Sequence, residues 1–77
     1  MGQRVQQQEF YIEVDDKSDP NVSYIGRANV NSDGDTSRAI WQVIKWIEDD
    51  DGSRSLFADG DLKFDNKWDD HLTLDYK

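Results

Sequence analysis

The chain has 77 residues, no cysteine, 17 acidic and 9 basic side chains and a formal net charge of −8, which bounds it to one small domain without disulfides or thiolate metal sites. That acidity opposes nucleic-acid phosphates and anionic membranes over most of the surface, and the longest apolar run falls far short of a membrane span. A domain this small buries too little surface to hold a deep core and a catalytic cleft together, and without staples it is expected to assemble with other subunits.

Residues 1–8, MGQRVQQQ, are polar and carry three consecutive glutamines, the composition of a flexible arm preceding a single β domain over 9–77. They contain no apolar signal core, so a soluble chain is expected, and Gln6 stands where a myristoylation motif requires Ser or Thr. From Phe10 to Val14 apolar residues alternate with polar ones or Tyr11, which predicts a half-buried strand. Residues 16–21, DKSDPN, are turn formers. Val22 to Val30 predicts a second strand, interrupted at Gly26 by a bulge or by the close approach of another backbone. Asn31 to Thr36 is a loop in which Asp33-Gly34 supplies a positive φ.

Residues 38–48, RAIWQVIKWIE, fit a helical stripe as well as a strand, and their β-branched and tryptophan content favours the strand. Asp49 to Gly52 predicts a hairpin turn, and Arg54 to Ala58 the returning strand. Phe64 and Trp68 are spaced so that one helical turn within 62–69 would align them, an ordered loop being equally compatible, and His71 to Tyr76 alternates as a closing strand. The sum is an all-β fold, a small antiparallel five-stranded barrel or sandwich with room for that one helical turn.

The acid is unevenly placed. Residues 48–77 carry ten acids and four bases, so −6 of the −8 lies in the last 30 residues. Fourteen of the 17 acids are Asp, the acid that favours turns and caps over helix interiors. Asn29, Asn31, Asp33 and Gly34 match the first half of a calcium loop, but its twelfth position is Ile40 and not Glu, so an acidic turn is the better reading. Asp65 and Asp69 beside Trp68 suggest a glycosidase pair, yet so small a domain has little room for a sugar cleft. His71 is the only histidine, assigned to the surface or a strand edge, and no triad or phosphate loop has its residues at a workable spacing. No catalytic, cofactor-binding or metal residue is therefore expected. Trp41 and Trp46 lie an odd number apart, so one of them faces outward from a half-buried strand. Trp41, Trp46, Phe64 and Trp68 are the candidate interface residues, with protein contact preferred over sugar stacking.

Five short motifs occur in order: Tyr24-Ile25-Gly26-Arg27-Ala28, Thr36-Ser37-x-Ala39-x-Trp41-Gln42-Val43, Phe57-Ala58-Asp59-Gly60, Phe64-Asp65-Asn66-Lys67-Trp68-Asp69-Asp70 and Leu72-Thr73-Leu74-x-Tyr76. Over about two thirds of the chain this resembles a group of small proteins of unassigned role encoded by tailed bacteriophages. Phe57 replaces the Trp usual in that group, and His71 the usual Arg, which removes a permanent cation beside Asp69 and Asp70. The resemblance implies a phage virion component, such as a capsid decoration, neck, tail or fibre-attachment protein, made in the host cytoplasm. Its expected partners are other phage structural proteins or copies of itself, with no direct nucleic acid and no membrane. The alternatives are an acidic inhibitor that imitates DNA and a small carbohydrate-binding module.

Overall fold

The computed structural model describes residues 10–77; the arm expected over 1–8 lies outside the described residues. Four strands, β1 (Phe10–Asp15), β2 (Val22–Asn29), β3 (Trp41–Asp49) and β4 (Gly52–Phe57), pair antiparallel in the order β1-β2-β3-β4. The fold is all-β and its sheet is open.

Connections follow the turn chemistry. Asp15 Oδ1 accepts the Lys17 and Ser18 amides at 3.1 Å each, and Asn21 takes the left-handed φ of 64° that leads into β2. Asp49 Oδ1 accepts the Asp51 amide at 3.0 Å, and Gly52, at φ 125°, closes the β3–β4 hairpin. These two turns lie at one end of the sheet, and the long 30–40 connection lies at the other. In that connection Asn29 Oδ1 accepts the Asn31 amide and Asp33 Oδ1 the Asp35 amide, so oxygens that a calcium loop would point at an ion cap the backbone.

Side-chain alternation sorts the strands into two faces. One face carries Tyr24, Gly26 and Ala28 of β2 against Lys45, Val43 and Trp41 of β3, and Trp68, Leu74 and Tyr76 of the C-terminal segment fold over it. The core is Tyr24, Ala28, Trp41, Val43, Ala58 and Trp68. Trp41 and Trp68 meet with ring centroids 6.3 Å apart. Gly26 is where the cover comes closest: a Cβ there would stand 2.6 Å from Trp68 Cε3 and 3.1 Å from Trp41 Cε3. Its register with Glu13 and Val43 continues unbroken on both sides. The glycine therefore marks a close approach, by an indole ring where a backbone was expected, and the strand carries no bulge.

Two expectations are corrected. The segment 71–76 is not a fifth strand: Thr73 N–H donates to Asp70 O in a turn, and only Tyr76 forms a bridge, to Ala58. Its alternation is used differently. Leu74 and Tyr76 pack on the core while Leu72 is exposed, and residues 75–77 reach the outer edge of β4 only at 57–59. The helical turn is a 3-10 turn at Trp68–Asp70, so Phe64 lies outside it and does not share a face with Trp68.

His71, expected at the surface or a strand edge, is half-buried at the end of β1. Its ring stacks on Trp68 at 4.1 Å and 10°, Nε2 lies 2.7 Å from Asp15 Oδ2 and Nδ1 lies 2.8 Å from Trp68 O. It joins the covering segment to the end of β1, and its acidic partner, Asp15, is distant in sequence. The Ser18 hydroxyl, His71 and the Lys17 amide, in that order, hold the Asp15 carboxyl well below the usual carboxylate range.

Candidate interaction face

The second face of the sheet has a different composition. β1 contributes Phe10, Ile12 and Val14; β2 Ser23, Ile25, Arg27 and Asn29; β3 Gln42, Ile44, Trp46 and Glu48; β4 Ser53, Ser55 and Phe57. The pairing places Val14, Ile25, Ile44 and Phe57 side by side, one from each strand, as a continuous apolar row across the sheet. Ile12 and Trp46 flank the row on either side. Val14 is 57% exposed, Ile12 52% and Trp46 38%, while Ile25, Ile44 and Phe57 are half-buried.

One end of this face is closed by the loop after β4. Phe64 stacks on Phe10 with centroids 6.0 Å apart, and the Arg27 guanidinium lies 4.5 Å over the Phe10 ring. Arg27 donates from Nε and Nη2 to Gln42 Oε1 at 2.9 and 2.7 Å, and Gln42 Nε2 donates to Leu62 O at 2.9 Å. Buried Gln42 thus ties Arg27 of β2 to the loop. At the other end the Trp46 indole N–H donates to Glu48 Oε1 at 3.1 Å, beside a shallow depression of about 180 Å³ bounded by Asp16, Asn21, Val22, Ser23 and Glu48. Among the described residues Arg27 and Glu48 are the only charged strand residues on this face, in a chain of which 34% is charged.

The four candidate interface residues separate into two pairs. Trp46 and Phe64 lie on the open face, each 38% exposed. Trp41, at 1%, and Trp68, at 7%, are core residues. Trp68 is packed on Gly26 and Trp41 and stacked by His71, which leaves it no broad ring face to offer a sugar. Asp65 and Asp69, on either side of it, are exposed. Among the described residues no group of three or more His, Asp or Glu is placed to hold a metal ion.

No family model, curated protein or solved structure matches this chain. A half-solvated sheet alternates apolar and polar residues, whereas a strand covered on both sides is apolar at both parities. β3 carries apolar side chains at both parities, Trp41 and Val43 inward and Ile44 and Trp46 outward between Gln42 and Glu48. That signal is present in the sequence of β3, where Ile44 is not among the candidate interface residues, and absent from β1, whose Ile12 and Val14 belong to an alternating strand.

Proposed function

We propose that this chain is a non-catalytic interaction module, a structural or accessory component of a tailed-phage particle that works through protein contacts made by its open sheet face. The observation that carries the reading is the uninterrupted apolar row Val14, Ile25, Ile44 and Phe57, flanked by Ile12 and Trp46, on an otherwise strongly charged molecule. Contiguous exposed apolar surface of this kind marks protein interaction sites. The phage assignment rests on the ordered motifs between Tyr24 and Tyr76. A net charge of −8 supports a position facing proteins and solvent, away from the packaged genome. Capsid decoration, neck, tail and fibre attachment are the roles compatible with it.

Mass spectrometry of gradient-purified particles of the encoding phage tests the assignment. The chain is expected at many copies per particle, and its absence from particles that retain their other structural proteins refutes it.

The acidic-inhibitor reading has weaker support. A DNA mimic needs carboxylates free and in regular array, whereas Asp15, Asp33, Asp35, Asp49 and Asp61 each turn an oxygen onto their own local backbone. A pull-down at low ionic strength that retains a basic nucleic-acid-binding host protein would favour it.

A further inference from the structure

We infer that the open face binds a second copy of the same chain face to face, so that two four-stranded sheets form the two layers of a sandwich. The inference rests on the proposed role as a protein-contact module and names its first partner. Three observations lead to a second copy.

The first is area. Aromatic side chains bury about 150–250 Å² each when fully covered; scaled by the exposures of Ile12, Val14, Trp46 and Phe64 and the half-buried Ile25, Ile44 and Phe57, the face offers roughly 500 Å² per copy. Two such faces together reach about 1,000 Å², the lower bound for a specific interface. Residues 1–9 contain only Met1 and Val5 as large apolar side chains.

The second is charge. Two molecules that each carry −8 repel unless they meet where that charge is missing. The strand residues of the open face hold one cation, Arg27, and one anion, Glu48, near opposite ends. The described strand residues of this face therefore sum to zero charge.

The third is polarity along the strands, which also fixes the orientation. Asp16, Asp19, Asp49, Asp50 and Asp51 cluster at the hairpin end with Glu48. A two-fold axis along the strands would bring the two acidic ends together. An axis in the sheet plane and across the strands sends them to opposite ends and sets the Glu48 end of one copy over the Arg27 end of the other. The central row Val14, Ile25, Ile44 and Phe57 then packs on itself, as a self-complementary two-fold interface requires, in the aligned arrangement of stacked sheets.

Sedimentation velocity of the full chain between about 5 and 500 µM tests this. The wild type is expected to move from a 9.0 kDa species to one of twice that mass as concentration rises. Trp46→Lys, on the inner strand β3 and outside both sheet edges, is expected to weaken association at least about tenfold, because it places a desolvated cation in the contact. Val14→Lys does the same from β1, and Leu72→Lys, equally exposed but on the covering segment, leaves association unchanged. Far-ultraviolet circular dichroism must be unchanged in each variant that is scored. A wild type that stays monomeric throughout, or a dimer that Trp46→Lys leaves intact because the copies pair along the β1 edge, overturns the inference. A monomer still found in purified particles would leave the particle role standing and remove only self-association.

Discussion

Replacing Gly26 by alanine sets two effects against each other. An alanine in a strand restricts the unfolded chain and on that account stabilises by about 0.4–1 kcal/mol. Against this, the new methyl would lie 2.6 Å from Trp68 Cε3, 3.0 Å from Cζ3 and 3.1 Å from Trp41 Cε3. Neither ring is a loose end. Trp41 is 1% exposed and its indole N–H donates to Asp35 O, while Trp68 is stacked by His71 at 4.1 Å. Relief requires the Trp68 ring to retreat by close to an ångström, which loosens the whole covering segment. Overpacking costs about 1–3 kcal/mol, and a 2.6 Å approach to a held ring belongs at the top of that range, so the clash wins and Gly26→Ala is expected to lose about 2 kcal/mol net. For a domain of this size that lowers Tm by about 8–16 °C. Thermal and urea unfolding followed by tryptophan fluorescence measure it. Trp68→Phe removes the benzo ring carrying both crowded atoms, so in that background Gly26→Ala should cost at least about 1 kcal/mol less. A variant melting within about 2 °C of wild type, or an equal loss in both backgrounds, would refute the packing of Trp68 on β2.

Three other outcomes follow from the same packing. The Asp15 carboxyl, held low by Ser18, His71 and Lys17, contributes stability that is complete above the unfolded carboxylate pKa of about 3.9 and is lost as pH falls toward its lower folded value; Asp15→Asn should melt below wild type at pH 6, with the gap closing as melts are taken at lower pH. Burial raises the Tyr76 phenol above its ordinary pKa, and burial with the Asp19 hydrogen bond does the same for Tyr24, so each is kept neutral in the fold and stability should fall as pH rises above about 10. Tyr76→Phe, which loses the hydrogen bond to His71 O at 2.6 Å, should cost about 1 kcal/mol at neutral pH and flatten that alkaline decline in pH-dependent melts. Iodide should quench Trp46 in the monomer far more than Trp41 or Trp68, a contrast that single-tryptophan variants measure directly.

The four strands were legible because alternation and turn composition act over a few residues: β1, β2 and β4 begin and end within two residues of their expected bounds, and β3 begins at Trp41 because residues 38–40 are held in a bend by the Ile40-to-Arg38 hydrogen bond. The closing segment was misread for a physical reason. Leu72, Leu74 and Tyr76 alternate, but alternation does not reveal whether a sheet edge is free to pair or whether the segment lies across a face. Here it crosses the Tyr24 and Trp41 face and meets β4 only at its end. The His71–Asp15 contact spans 56 residues of sequence, and no local pattern announces it. The outward position of either Trp41 or Trp46 was readable from their odd spacing; which of them faced outward depended on where Trp68 docks. The expected sandwich stands as a single sheet with one covered face, and a second layer would come from another molecule.

The open face as the working surface is tested most directly by counting copies of the chain in purified particles assembled with wild-type, Trp46→Lys or Leu72→Lys protein, using quantitative mass spectrometry. Wild type and Leu72→Lys are predicted to be incorporated equally, and Trp46→Lys to be largely lost while remaining folded in the cell extract. Incorporation of Trp46→Lys at the wild-type level, or absence of the wild type itself, would contradict the account.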